Sequence, residues 1–167
     1  MILADSQRLI EAYHDPSAHA MIRIGLAPCS PFSVSQDLMR ETAALARSAG
    51  VRLHTHLSEN AEDVAYSVAR FGRRPADYAG DCGWLEDDVW FAHCVRLDPG
   101  DAARFAVCGA GIAHCPSSNL RLGSGIAPLR RWLEAGVAVG LGEEGIVAAD
   151  ADINAGMNLC PPLTHND

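Results

Sequence analysis

No stretch of this sequence approaches the roughly 18 uninterrupted apolar residues of a membrane-crossing helix, and Asp5, Arg8 and Glu11 stand where a signal peptide would be apolar. A soluble, cytoplasmic protein is the expectation. Positive charge is also scarce: 13 Lys and Arg oppose 21 Asp and Glu, for a net charge of -8, and the basic residues are scattered. Nucleic acid and membrane partners are therefore not expected, because no basic field exists to meet a polyanion. The six cysteines, Cys29, Cys82, Cys94, Cys108, Cys115 and Cys160, form no CxxC pair, which favours reduced structural thiols over a disulfide scaffold. Cys29, Cys94 and Cys115 sit beside strand ends, where a small buried apolar residue fits. Standard short motifs are missing as well. HExxH and G-x-x-x-x-G-K-S/T do not occur, and "GSG" at 123–125 and "GLG" at 140–142 are too weak to indicate a phosphate cradle.

What is present is a chain of 167 residues, 49% hydrophobic, enough to bury the core of one domain. Residues 2–14 carry apolar side chains near a helical period. "MIRIGLA" (21–27) is strand-like, and Ser35 can cap a helix that runs to Ala49 and stops at Gly50. The unit then repeats: "VRLHTHL" and a helix over 60–71, "DVWFAHCV" and a helix over 98–108, "AGIAHCP" and a helix over 125–135, and a last strand "GVAVGLG". Five strands alternating with helices define an α/β fold with parallel strands, because parallel neighbours need crossover connections.

Two architectures share that pattern. Length favours an open doubly wound sheet over a barrel of eight βα units, which typically needs about 250 residues. The placement of reactive residues favours a barrel. His54, His56 and Glu59 follow the second strand, His93 the third, His114 the fourth, and Glu143 and Glu144 the fifth. A barrel would gather these ends around one axis, whereas an open sheet would spread them in a line.

Side chains two apart on a strand share a face, so His54 and His56 point the same way. Imidazole with a carboxylate from another strand suits zinc or a similar divalent cation, which would lower the pKa of a bound water toward about 7. Glu59 could take that water's proton and pass it to a leaving nitrogen, and His93 could orient the water or stabilise an oxyanion. Each histidine taken alone is more often a hydrogen-bonded structural residue than a ligand. Together they favour a site.

The segments "RLIEAYHD", "APCSPFSVS", "HTHLSEN", "FAHCVRLD", "HCPSSNLRLGSGIAPLRRW" and "GVAVGLG" resemble, in the same order, the amidohydrolase superfamily. The similarity is to its metal-dependent aminohydrolases of nitrogen heterocycles: 8-oxoguanine deaminases foremost, then guanine deaminases and triazine hydrolases. It covers roughly residues 8–142. It implies a (β/α)8 barrel, of which this chain would form a partial, single incomplete domain with about five parallel strands and flanking helices. It further implies one divalent metal, zinc first and iron second, with His56 as ligand and Glu59 and His93 as catalytic residues. His54 would lie behind the ligands, and Ser118 and Asn119 near a small heterocyclic substrate.

Two features depart from the family pattern. No HxH pair precedes residue 21, although the family takes two metal ligands from one on its first barrel strand, and Glu144 stands where the family has an aspartate ligand. Residues 146–167 diverge. A truncated piece is therefore expected. It would be either a hydrolytic deaminase whose metal site is incomplete or empty, or a non-catalytic fragment that self-associates through open sheet edges. A weaker third reading is an open-sheet binding module without chemistry.

Overall fold

A computed structural model describes residues 2–142. Five strands, β1 (Gly25–Leu26), β2 (Arg52–Leu57), β3 (Val89–His93), β4 (Gly111–His114) and β5 (Val139–Leu141), form one sheet in the order β1-β2-β3-β4-β5. Every neighbouring pair is parallel. Doubly wound sheets reverse their strand order at a switch point. This sheet does not reverse, and its stepwise order is that of a barrel wall.

The helices are α1 (Ile2–Tyr13), α2 (Gln36–Ala49), α3 (Ala61–Phe71), α4 (Pro75–Asp81), α5 (Asp101–Cys108), α6 (Pro116–Arg121) and α7 (Leu129–Glu134). Helix α2 has the ends its sequence announces. The Leu38 N–H donates to Ser35 Oγ at 3.1 Å, and Gly50 closes the helix at φ 66°, a conformation glycine adopts without steric cost.

Strand alternation divides the sheet into two faces. Leu53, Thr55 and Leu57 of β2, Val89 and Phe91 of β3, and Ile112 of β4 are buried. They pack under the helices with Met39, Ala43 and Ala46 of α2, Tyr78 and Ala79 of α4, and Phe105 of α5. Phe91 sits 5.2 Å from the Phe105 ring and 6.4 Å from Trp84. The Trp84 indole N–H donates to the Met39 carbonyl at 2.9 Å, so this large residue is buried with its polar atom satisfied. The opposite face carries His54, His56, Trp90, Ala92, Gly111 and Ala113, paired across the ladders in that register. It corresponds to the inside of a barrel.

Several elements differ from expectation. The strand expected over 21–27 keeps only Gly25–Leu26, because backbone groups before it have other partners. The Ile22 carbonyl accepts from the Asp15 N–H, and the Ile24 N–H donates to His14 Nδ1. Helix α7 is six residues rather than eleven, starting after Pro128. The last strand is three residues. Helices α4 and α6 were not anticipated. Cys29, Cys82, Cys94 and Cys108 are free thiols; Cys94 and Cys115 are buried as expected, but Cys29 is exposed on the loop after β1. No helix of the described residues is long and apolar enough to cross a membrane.

Candidate functional site

The site forms where β2 and β3 end. The alternation of β3 assigns His93 to the helix face with Val89 and Phe91, yet His93 meets His56 and Glu59, which belong to the opposite rim. The backbone explains the change. His93 and Cys94 both adopt left-handed conformations, φ 68° and 53°, which break the pleat. For non-glycine residues such conformations cost on the order of 1–3 kcal/mol each. Ser58, at φ 50°, makes a similar break after β2 and turns the chain toward Glu59.

The His93 ring is fully buried and stacks on His56, with centroids 5.3 Å apart and planes at 25°. His93 Nδ1 lies 2.7 Å from Asn119 Oδ1, and His93 Nε2 lies 3.8 Å from Glu59 Oε2. Ser124 Oγ donates to Glu59 Oε1 at 3.3 Å. The Glu59 backbone is pinned too: its N–H donates to Asp63 Oδ2 at 2.9 Å, while the Asp63 N–H donates to the Asn60 side chain that caps α3. Burial pushes the Asp63 carboxyl above the usual range, opposed by N–H donors from Glu59 and Asn60.

His56 Nδ1 contacts the Cys29 carbonyl, which also accepts from the His56 N–H and from Thr55 Oγ1, both at 3.1 Å. A carbonyl only accepts, so Nδ1 carries the proton and Nε2 the lone pair, the tautomer that a metal-binding histidine shows when its other nitrogen donates to the protein. His54 shares that face but stacks on Trp90 (4.9 Å, 18°) and places Nδ1 3.1 Å from the Trp90 carbonyl.

His114 lies edge-on to Trp132 at 6.1 Å, and burial, reinforced by His93, pushes its pKa down. It joins Pro116, Asn119, Leu120, Ile126 and Leu129 around a cavity of about 160 Å³. Ser118 and Asn119 are buried in α6, and Asn119 thus touches both cavity and His93. Glu143 and Glu144 lie outside the described residues. Among the described residues no group of three or more His, Cys, Asp and Glu side chains could hold a metal ion. His56 fits a metal by tautomer, but it is one ligand of an incomplete set.

Sequence reasoning missed Ser124, Asp63 and the Cys29 carbonyl. Ser124 lies inside the "GSG" of the resemblance segment, which by itself assigns the serine no role. Its neighbour Gly125 sits at φ 118°, open to glycine and strained for other residues, and this gives the turn a structural use.

A sheet of successively adjacent parallel strands with histidines and a carboxylate at their carboxyl ends is the wall of a βα barrel with a polar rim. The chain belongs to the amidohydrolase family, whose model matches residues 3–164. It is 46% identical over 150 residues to 8-oxoguanine deaminase of Pseudomonas aeruginosa, covering 90% of this chain and 33% of that protein. It is 47% identical over 152 residues to an isoxanthopterin deaminase of an unknown prokaryotic organism, covering 89% and 31%. Among solved structures, the zinc complex of an atrazine chlorohydrolase from Arthrobacter aurescens matches with TM-score 0.84 and 35% identity, over 87% of this chain and 32% of that one. A zinc-bound adenosine deaminase from Xanthomonas campestris matches with TM-score 0.87 and 28% identity, over 93% and 35%. The chain thus spans about a third of the length of the relatives it matches.

Proposed function

We propose that this chain is a single-domain portion of a barrel that hydrolytically deaminates amino-substituted nitrogen heterocycles of the 8-oxoguanine, guanine or pterin kind. The observation that carries the reading is the convergence of His56, His93 and Glu59 at two adjacent strand ends. Water attacks the amino-bearing ring carbon, the C–N bond breaks, and ammonia leaves as the carbon becomes a carbonyl. Glu59 takes the proton from the water and delivers it to the departing nitrogen. Ser124 and Asp63 keep Glu59 at the mouth of the site through its carboxylate and its N–H respectively. His93 orients the water or the developing oxyanion through Nε2, and Ser118 and Asn119 border the substrate. A divalent cation, zinc before iron, would be held by His56 and Glu144 with ligands from the remainder of the protein, and would supply Lewis-acid activation of water.

The test is ammonia release from 8-oxoguanine, guanine and isoxanthopterin by the zinc-supplemented protein. Glu59→Gln should lower turnover by about a hundredfold to ten-thousandfold with unchanged metal content. Full activity in that variant removes Glu59 from the role. A second reading, a non-catalytic piece that associates through the edges of β1 and β5, rests on the lack of a group of three or more metal-ligating side chains among the described residues. It is supported if the protein binds no metal, releases no ammonia and migrates as an oligomer on size exclusion. In either case the supported setting is a soluble, cytoplasmic protein without nucleic acid or membrane partners, consistent with its net charge of -8.

A further inference from the structure

We infer that Asn119 is a positioning residue whose side-chain carbonyl keeps His93 protonated at Nδ1, and so turns Nε2 toward Glu59. The contact is short, 2.7 Å from Oδ1 to Nδ1, and both residues are enclosed, at 1% and 0% exposure. An amide oxygen cannot donate, so an imidazole that meets it through Nδ1 must bring the proton. The opposite tautomer would set two lone pairs against each other where water cannot separate them.

Both residues are held by their surroundings. The His93 ring is confined by its stack on His56 and by two successive left-handed residues, while Asn119 is fixed in α6 by its N–H, which donates to the Cys115 carbonyl at 3.0 Å. The Asn119 backbone carbonyl in turn accepts from the Ser124 N–H at 2.9 Å, and the Ser124 hydroxyl reaches Glu59. The contacts therefore close a ring: Asn119 to His93, His93 to Glu59, Glu59 to Ser124, and Ser124 back to Asn119. One asparagine orients both groups that face the reacting water, His93 through its side chain and Glu59 through its backbone.

The inference rests on the deaminase reading for what the tautomer is used for, but its test does not need activity. Nitrogen-15 NMR of the imidazoles in the full 167-residue chain, well above the ordinary imidazole pKa of about 6.5, reads the protonated nitrogen directly. His93 is expected to carry its proton on Nδ1. Asn119→Asp, which keeps an acceptor, should retain that pattern, and Asn119→Leu should move His93 toward a mixture with the Nε2-protonated form. A wild-type His93 protonated on Nε2 overturns the inference, as does an unchanged tautomer in Asn119→Leu. If the leucine variant fails to fold, the wild-type spectrum and Asn119→Asp decide the matter. Absent ammonia release with an Nδ1-protonated His93 defeats the deaminase reading and leaves this inference standing.

Discussion

Phe91 and Trp90 are consecutive residues of β3, and the two faces of the sheet assign them unequal costs of removal. Phe91 is fully enclosed between Phe105 and Trp84. Truncation to alanine deletes a ring from a packed layer and leaves a cavity, a loss of about 3–5 kcal/mol. Trp90 faces the other way, is half-buried, and has the His54 ring stacked on it. Losing one aromatic contact and part of its covered surface costs about 1–2 kcal/mol. Urea unfolding of Phe91→Ala and Trp90→Ala should therefore show midpoints separated by about 1 M, given slopes of about 1–3 kcal/mol per molar for small proteins. The larger residue should matter less. Equal losses, or a greater loss for Trp90→Ala, would refute the assignment of faces, and with it the claim that His93 has been turned out of its strand register.

Two further outcomes can be checked on the isolated chain. Gly50→Ala places a Cβ at φ 66° with nothing within 4 Å, so the cost is conformational only, about 1 kcal/mol by thermal or urea unfolding; a neutral result would contradict the left-handed cap. His114 has a folded-state pKa below its ordinary 6.5, so the unfolded chain gains its proton first on acidification. Its contribution is complete above 6.5 and disappears as the pH falls toward the folded value. His114→Gln should accordingly flatten the change in urea midpoint between about pH 7.5 and about pH 5.5, and an unaltered slope would mean that His114 is solvated.

Much of the scaffold was legible because its signals are local. Alternation in "RLHTHL" marks β2 and the shared face of His54 and His56, and Ser35 and Gly50 mark the ends of α2. The winding order was not, since strand count alone permits a barrel wall or a doubly wound sheet. The strand before Leu26 misled because Met21 and Ile22 are apolar yet exposed, at 96% and 56%, and the backbone there is tied to α1 and the loop after it. At the site, His56, Glu59 and His93 could be nominated from strand ends, but strand parity places His93 on the wrong face. Left-handed backbone at a histidine and a cysteine has no compositional marker of the kind glycine provides. Ser124 escaped because its partner, Glu59, is 65 residues away, a separation that no spacing rule spans.

The Cys29 carbonyl has two lone pairs for three donors, the His56 N–H, His56 Nδ1 and Thr55 Oγ1. Such an oversubscribed oxygen ties the loop after β1 directly to the His56 ring. A rotation of the His56 ring redistributes the share each donor receives and tilts the Cys29 peptide plane. The next turn, Ser30–Ser33, is closed on itself by the Ser30 and Ser33 hydroxyls, so the His56 ring and this closed turn share one peptide unit.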